Sequence, residues 1–413
     1  MVRSRRPWFG DLAVVLAASA VCACSSAHSA RSPDAAGDSD GDVARAGADS
    51  NSGDASSGST NRGDVGQDGE GGASAGNAGL GGKSSGMTSS SGASSGGASS
   101  ATAGNSSANA GASSSTANEL RRIFYLDVQG SVRTFDEDQP TARTLVKSAG
   151  QGPDGIAVDV AGGHIYWTTM GVPADDDGSL RRAELDGSKV TTIVPAGGSY
   201  TPKQLKLDVA SQRLYWSDRE GMRIQRAGID GSGLETLVTV ATGDSARKDA
   251  KNWCVGLALD VADGFVYWTQ KGPDNGMVGS IRRAHLRLPD GETDATRTDI
   301  EVLFDKLPEP VDLDLDVTAG QMYWTDRGDD TINRAPIEIP NGKTAATRAD
   351  RQILVRGVRE AIGVSLDLER GHVYYTSGAS GRVGRANLDG SGAVDLVTGT
   401  GALTGIAVVP AAR

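Results

Sequence analysis

From residue 119 onward, short apolar runs alternate with polar turns, and the alternation repeats in units of roughly fifty residues. One unit begins with the run 155–159, continues with the pair Tyr166-Trp167, and has a third run ending near Arg182. A fourth run follows an Asp-Gly turn. Runs of period two predict β-strands, and Asp-Gly or Asn-Gly turns predict hairpins between them. Four short strands per repeated unit are typical of a propeller blade.

Three positions recur at the same place in each of the five well-formed units. An Asp closes the first run, an aromatic pair lies in the second, and an Arg lies in the third. The Asp residues are Asp159, Asp208, Asp260, Asp316 and Asp367, and the pairs of second aromatic and Arg are Trp167 with Arg182, Trp216 with Arg226, Trp268 with Arg283, Trp324 with Arg334, and Tyr375 with Arg385.

The aromatic and Arg positions predict a contact that holds the blades together. If the hairpin turns on Gly221, Trp216 lies directly across from Arg226, and Asp218 lies on the diagonal. The guanidinium would then rest on the indole ring as a cation–π contact and reach the carboxylate. We therefore expect these ten aromatic and Arg residues to fill the space between blades, as structural rather than catalytic groups.

The spaced pattern resembles the YWTD repeat, the class B repeat of low-density lipoprotein receptors. The motif reads Tyr-Trp-Thr at 166–168 and 323–325. The copy in the first unit is degenerate and reads Ile123-Phe124-Tyr125. The resemblance covers about residues 119–413 and implies an all-β, six-bladed β-propeller. The receptors also carry cysteine-rich modules, which this sequence lacks, so the fold is carried over and the receptor role is not.

The first unit lacks an opening run of its own, and a matching run, Gly405 to Val409, follows the last unit. We expect this C-terminal strand to pair with 123–126 and complete the first blade. Such closure removes the free sheet edges, which would otherwise promote aggregation.

The first 118 residues predict export and a tether. Residues 1–24 have a basic start and an apolar stretch too short to span a bilayer, and they end at Cys24 in a sequence resembling a bacterial lipobox. An ordinary cleaved signal peptide is the alternative. Residues 25–118 consist almost entirely of small and polar residues, which cannot bury enough apolar surface to fold. We therefore predict a signal peptide (1–24), a disordered linker (25–118) and a propeller (119–413).

Charge and cysteine content narrow the function. Residues 1–118 hold 7 of the 41 Lys and Arg and 10 of the 52 Asp and Glu, which leaves 34 against 42, a net charge of −8. This charge argues against a nucleic-acid partner. Cys254 is the single cysteine of the propeller, so an intrachain disulfide or a cysteine-based metal site is excluded there. We expect a monomer without a cofactor.

The five Asp residues that close the first runs suggest a metal site at first sight. Their fixed spacing, however, distributes them around the ring, too far apart to share one ion. We expect each carboxylate to accept backbone amides of the turn that follows it.

Candidate binding residues lie in three enlarged loops. Loops from second to third strand and from fourth strand to the next first strand share one face, and the resemblance implies that this is the ligand-binding face. The enlarged loops are 170–178, which carries Asp175, Asp176 and Asp177; 271–279; and 240–255, which carries Trp253. Loops on a rigid scaffold often carry function. A solvated acidic loop and simple packing of the indole ring are the alternatives.

A second set of candidates lies where the first strands line the central channel. Small or apolar residues dominate there, and the polar departures are Asp154, Lys203, Gln204, Lys206, Asp312 and Asp314. They would suit a small polar ligand. Alternatively, Lys206 and Asp314 only neutralise each other.

We expect an exported lipoprotein, in the periplasm or at the cell surface, held to the membrane by its lipid alone. Ser25 favours outer-membrane sorting. The propeller would serve as a non-catalytic platform for a protein, peptide or glycan. The rival hypothesis is a metal-dependent hydrolase or lyase, similar to gluconolactonases, with its site around Gln204, Asp312 and Asp314. An envelope structural or assembly factor is a third hypothesis.

Overall fold

A computed structural model describes residues 120–172 and 175–411, and these residues form six four-stranded antiparallel sheets. The first strand of every sheet contacts the first strands of the two neighbouring sheets, so the sheets form a closed ring of six blades. The predicted all-β, six-bladed propeller is confirmed. The signal peptide, Cys24 and the linker predicted for residues 1–118 lie outside the described residues.

The strands are given from the channel outward. Blade 1 contains β24 (Leu403–Pro410), β1 (Arg121–Asp127), β2 (Ser131–Asp136) and β3 (Gln139–Val146); blade 2 contains β4 (Pro153–Asp159), β5 (His164–Thr169), β6 (Ser179–Glu184) and β7 (Thr191–Val194). Blade 3 contains β8 (Pro202–Asp208), β9 (Arg213–Asp218), β10 (Arg223–Gly228) and β11 (Glu235–Thr239); blade 4 contains β12 (Cys254–Asp260), β13 (Phe265–Gln270), β14 (Gly279–His285) and β15 (Glu301–Leu307). Blade 5 contains β16 (Pro310–Asp316), β17 (Gln321–Asp326), β18 (Thr331–Pro336) and β19 (Gln352–Arg356); blade 6 contains β20 (Ala361–Asp367), β21 (His372–Ser377), β22 (Arg382–Asn387) and β23 (Val394–Val397).

Two helical turns, α1 (Asp244–Arg247) and a 3-10 turn (Ala250–Asn252), lie between blades 3 and 4. Within residues 120–172 and 175–411, no helix has the length and apolarity needed to cross a bilayer. We call the end of the ring that carries the second-to-third and fourth-to-first loops the top face. The end that carries the first-to-second and third-to-fourth turns is the bottom face.

The ring closes as the sequence predicts. Strand β24 pairs antiparallel with β1, with Ile406 opposite Tyr125 and Val408 opposite Ile123. Beyond these strands, the amide of Ala411 donates to the carbonyl of Leu120 over 2.7 Å. The last described strand therefore completes the first blade.

The aromatic pair packs in two directions because neighbouring residues of a strand point to opposite faces. Trp216 of blade 3 shares an apolar cluster with Tyr166 of blade 2, and Trp268 of blade 4 shares one with Tyr215 of blade 3. All four second-strand Trp side chains are fully buried. Each Trp therefore faces the preceding blade, and each Tyr faces the following one.

The predicted Trp–Arg pairing is wrong by one residue. Arg226 lies across from Tyr215, and Gln225 lies across from Trp216. The same register holds in the other blades, where Arg182, Arg283, Arg334 and Arg385 lie across from Tyr166, Tyr267, Tyr323 and Tyr374 rather than from Trp167, Trp268, Trp324 and Tyr375.

The cause is the turn of the β9–β10 hairpin. Its left-handed residue is Met222, with φ 54°, rather than Gly221, and the turn is centred between Glu220 and Gly221. A change of one residue in register moves a side chain to the other face of a sheet.

The Arg side chains still join blades, but by other contacts. Nη1 of Arg226 donates to the carbonyl of Leu286 in blade 4 over 3.2 Å, and Nη1 of Arg334 donates to that of Leu388 in blade 6 over 2.9 Å. Nη1 of Arg283 contacts the Glu338 carboxylate of blade 5 over 2.7 Å. These three Arg side chains therefore contact the following blade, and the aromatic residue across from each is Tyr rather than Trp.

The hydroxyl after each aromatic pair forms a second tie between blades. Thr168 donates to the carbonyl of Lys203 over 2.7 Å, and Ser217, Thr269, Thr325 and Thr376 donate to the next first strand in the same way. Blade 1 has Leu126 at this position, and Thr404 donates to the carbonyl of Pro153 over 2.8 Å instead. Six hydroxyls thus connect the blades around the channel, which explains why the motif requires Thr or Ser.

The predicted role of the five Asp residues is confirmed. Asp159 accepts from the amide of Gly162 over 2.7 Å, and Asp208, Asp260, Asp316 and Asp367 accept amides of their own first-to-second turns in the same way. These carboxylates order the bottom turns.

Candidate functional site

The upper layer of the channel contains a buried ion pair between blades 2 and 3. Nζ of Lys203 contacts Oδ2 of Asp154, and Nε2 of Gln204 donates to Oδ1 of the same carboxylate over 3.0 Å. All three side chains are buried. Burial lowers the pKa of Lys203, and the charge of Asp154 opposes this effect. The three predicted residues therefore do meet, and they join two blades.

The other side of this layer is apolar. Val255, Val311 and Ile362, at the equivalent positions of blades 4, 5 and 6, form one buried cluster with exposures of 2 to 5%. Since the polar half is buried too, the channel is closed at this level. The described top face therefore has no open path to the residues below.

The lower layer contains Lys206 and Asp314, each three residues beyond the upper-layer residue of its strand, together with Asp312. Nζ of Lys206 lies 3.4 Å from Oδ1 of Asp314, and both side chains are about a quarter exposed, at 23% and 25%. Because the layer above is closed, this exposure arises from the bottom end. Asp312 is buried. The two Asp residues also join blades 5 and 6: Asp312 accepts from the amide of Val364 over 2.9 Å, and Asp314 accepts from that of Leu366 over 3.0 Å.

The charges of this lower layer are mutually dependent. Burial lowers the pKa of Lys206, but the carboxylates of Asp314 and Asp312 together raise it above its ordinary value. Burial raises the pKa of Asp312 to about 7, although Lys206 favours the ionised form. Lys206 is therefore protonated at neutral pH, and it serves as the counter-ion of the two carboxylates.

The three residues of the rival metal hypothesis, Gln204, Asp312 and Asp314, do not converge on one site. Within residues 120–172 and 175–411, no group of three or more His, Cys, Asp or Glu side chains is arranged to hold a metal ion. Oδ1 and Oδ2 of Asp312 each accept a backbone amide, from Leu313 and from Val364. Gln204 contacts Asp154 rather than the two Asp residues of blade 5.

On the top face, Trp253 lies between two cations. The guanidinium carbon of Arg219 is 4.8 Å from the ring centroid and Nζ of Lys271 is 5.4 Å from it, distances typical of cation–π contacts. The indole N–H donates to the carbonyl of Arg247 over 2.7 Å. Arg247 in turn covers the ring of Tyr200 at 3.8 Å. The half-buried indole is thus fixed by contacts within the top loops.

An ion network extends from Lys271 to blade 5. Lys271 contacts Glu309 over 2.7 Å and Asp274 over 3.1 Å, and Arg327 contacts the same two carboxylates over 2.8 and 2.7 Å. Glu309 and Lys271 are buried. Together with Arg219 and Trp253, these residues form a continuous network of contacts across blades 3 to 5, which we call the top network.

The acidic triplet 175–177 remains on its own loop. Asp175 and Asp176 are exposed, whereas Oδ1 of Asp177 accepts from the amide of Val172 over 2.6 Å. The structure does not join the triplet to Trp253 or to the channel residues through a contact among those described. It is an exposed acidic patch on the top face.

Most residues of the top network were not among those predicted from the sequence. Arg219 and Arg327 directly follow the last motif residues Asp218 and Asp326, and Glu309 directly precedes the inner strand of blade 5. A signal was available, since charged residues beside a repeated motif point to one face in every blade. Their pairing, however, joins different loops and is not visible in the pattern.

Comparison with known proteins agrees with this geometry. No protein-family model matches the chain. A protein of the fungus Pyricularia oryzae described as low-density lipoprotein receptor-related protein 1 is 40% identical over 292 residues, which cover 68% of this chain and 92% of that protein. The chain belongs to this family of low-density lipoprotein receptor-related proteins.

Two further similarities fit this low-density lipoprotein receptor-related propeller. The 3-hydroxyacyl-CoA dehydrogenase-like protein LAM1 of the fungus Cochliobolus heterostrophus is 37% identical over 298 residues, which cover 67% of this chain and 62% of that protein. The chain therefore spans less than two thirds of that relative. A chain of the crystal structure of a nidogen/laminin complex matches with a TM-score of 0.54 at 21% identity, over 70% of this chain and 98% of that chain. At this identity the match concerns the fold alone. Both sequence relatives come from fungi, so the bacterial setting expected from the lipobox remains a prediction.

Proposed function

We propose that this propeller is a non-catalytic platform that binds a partner protein through its top face. The observation that carries the proposal is the top network, in which Trp253, Arg219, Lys271, Glu309 and Arg327 are fixed by one another across three blades. Aromatic and Arg side chains held rigidly at a surface are the groups that contribute most to protein interfaces. Pre-ordered side chains also lose little entropy on binding.

The channel residues support binding rather than catalysis. Lys203 and Asp154 neutralise each other between blades 2 and 3, and Lys206 neutralises Asp314. A catalytic acid, base or metal ligand needs a group that is free to act on a substrate. These groups hold blades together instead.

We also propose export and lipid anchoring through Cys24, followed by the linker 25–118. The first described residue, Leu120, lies beside Ala411 at the bottom face, opposite the top network. The tether would therefore be attached at the end of the propeller opposite the top network. The low-complexity composition of 25–118 suits a spacer.

Site-specific photo-crosslinking in cells that express the full chain tests the platform. A photoreactive residue at Lys248, which is exposed on the top face, is expected to capture a defined partner, and Trp253→Ala is expected to reduce capture about tenfold. Lys189, which is 78% exposed on the bottom face, is the matched control. Equal capture at both positions would contradict the proposal.

Labelling cells with a palmitate analogue tests the anchor. The label is expected to be lost in the Cys24→Ala variant and kept in the Cys22→Ala variant.

The rival hydrolase or lyase has a separate test. Elemental analysis of the purified chain would favour it by finding one divalent ion per molecule that Asp314→Ala removes. We expect no such stoichiometric loss, because Asp314 is engaged by Lys206 and the amide of Leu366.

A further inference from the structure

An open recess of about 520 Å³ lies on the bottom side of the junction between blades 3 and 4. Its floor and walls combine charged and apolar groups. They include Arg213, Tyr215, Arg226, Glu235, Leu286 and Arg287. Sites that bind small molecules have volumes in this range and combine apolar walls with a few polar groups.

Two guanidiniums in the recess share one carboxylate. Nε of Arg226 contacts Oε1 of Glu235, and Nη1 of Arg213 lies 3.2 Å from the same oxygen. Arg226 also lies over the Tyr215 ring, at 5.9 Å from its centroid. The third guanidinium, of Arg287, is 84% exposed and contacts the equally exposed Asp290. Glu235 is therefore shared by two guanidiniums, and the third pairs with Asp290 at the exposed rim.

The wall with Leu286 and Arg287 belongs to a long loop, 286–300, between β14 and β15. Blade 5 has a loop of the same length and pattern at 337–351. In both loops a buried Arg holds a nearby Asp and reaches the preceding blade: Arg297 donates to the carbonyl of Leu237, and Arg348 donates to that of Leu303. The junction between blades 4 and 5 is thus a matched counterpart of the recess.

Three lining positions differ in formal charge between the two junctions, and all three make the recess more positive. Ser211, Arg213 and Arg287 of the recess correspond to Asp263, Phe265 and Glu338. In the counterpart, the guanidinium of Arg283 lies 4.9 Å from the Phe265 ring centroid, and Nη1 contacts Glu338 over 2.7 Å. Phe265 and Glu338 therefore stand in the counterpart where Arg213 and Arg287 stand in the recess.

The difference in charge can be counted over equivalent residues. The recess and its rim have three Arg (213, 226, 287) and three acids (Asp208, Glu235, Asp290), a net charge of 0. The counterpart has one Arg (283) and four acids (Asp260, Asp263, Glu301, Glu338), with the neutral Asn341 in place of Asp290, a net charge of −3. The recess is thus three charges more positive, in a chain whose net charge is −11.

We propose that this recess binds a small organic anion with an aliphatic body. The carboxylate or phosphate head would lie among Arg213, Arg226 and Arg287, because guanidinium groups match the planar, two-oxygen geometry of such anions. The aliphatic body would cover Leu237, Leu286 and Leu288 on the wall. This site is separate from the top network and does not depend on the proposed platform function.

Calorimetric titration of the full chain tests the site. Decanoate and decyl phosphate are the probes, with acetate and inorganic phosphate as heads without a body and decanol as a body without a head. We expect saturable binding of at least one complete probe and none of the separate parts at equal concentration. Arg287→Glu and Arg213→Phe, which introduce the counterpart's residues, are each expected to weaken binding about tenfold. Arg287 is exposed, so its substitution does not disturb the fold.

A reciprocal variant guards against indirect effects. The double variant Phe265→Arg and Glu338→Arg opens the counterpart junction and is expected to create a second binding site. The single variant Glu338→Arg keeps the Phe265 ring in place and is expected to create none. Binding that survives both recess variants unchanged would overturn the proposal. Binding of acetate as tight as that of decanoate would overturn it as well, since it would show general anion attraction only.

Discussion

Blades 3 and 5 have the same framework and opposite charges. Both have a Tyr-Trp-hydroxyl-Asp motif, a four-residue turn and an Arg across from the Tyr. The inner strand of blade 3, however, contributes Lys203 and Lys206 to the channel, whereas that of blade 5 contributes Asp312 and Asp314. The repeated residues therefore determine how a blade is built, and the positions outside the repeat determine which charged side chains each blade contributes to the channel.

The last motif residue shows the same contrast most clearly. Asp218 of blade 3 is contacted by Nε of Arg223 over 2.9 Å and by the amides of Tyr200 and Thr201 over 2.9 and 2.7 Å. Asp326 of blade 5 lies across from Thr331 instead of an Arg, and its buried Oδ2 has no hydrogen-bond partner among the described residues. The Asp218 carboxylate thus has partners on both oxygens, whereas that of Asp326 accepts the amides of Glu309 and Gly328 on Oδ1 alone.

The largest expected effect comes from Asp218→Asn. The substitution keeps the shape but turns one accepting oxygen into a donor that faces amides and Arg223. Loss of a buried, charge-assisted contact of this kind costs roughly 3 kcal/mol of unfolding free energy. Urea unfolding of the full chain at pH 8 measures it, and a loss below about 1 kcal/mol would show that these contacts are dispensable.

The same substitution in blade 5 is expected to have the opposite sign. Burial, together with the nearby Asp329, raises the pKa of Asp326 to about 7, so the folded state holds a proton that the unfolded state releases near pH 4. This group therefore makes stability fall as pH rises from about 4 to 7. We expect Asp326→Asn to stabilise the chain by about 2 kcal/mol at pH 8 and to have little effect at pH 4. Urea unfolding at both pH values checks the sign, and a destabilised variant at pH 8 would disprove it.

A smaller effect is expected where the two blades meet across the channel. Lys206→Met leaves Asp314 and Asp312 without their counter-ion, and we expect a loss of about 1 kcal/mol at pH 8 because the pair is partly exposed. Adding Asp314→Leu is expected to restore part of it. A double-mutant cycle with unfolding measurements gives the coupling, and a coupling of zero would mean that the two charges act independently.

The framework could be predicted from the sequence because it depends on repeated residues. The solitary run Gly405–Val409 was sufficient to place the closing strand, and the fixed spacing of Asp159 and its equivalents was sufficient to assign them to turns. The register of the hairpin was not predictable in the same way. It depends on Met222 rather than Gly221 taking the left-handed conformation, and a Gly in a turn is ordinarily the better candidate.

The candidate sites were predicted less completely, for a physical reason. Repetition shows which channel residues depart from the pattern, and the pairing of Lys206 with Asp314 was one of the alternatives it offered, but it does not show which loop residues meet. The contact of Lys271 with Glu309 joins a loop of blade 4 to the start of blade 5. Such a pairing depends on loop paths, which local preferences do not determine.

The strand that closes the ring also has a consequence for biosynthesis. Blade 1 begins with β1, yet its channel-lining strand β24 is synthesised after the strands of the other five blades. Until β24 pairs with β1, the sheet of blade 1 has three strands and one unpaired edge. Proteolysis or premature termination before Leu403 would leave that edge exposed in every molecule, and such chains would associate with one another through it.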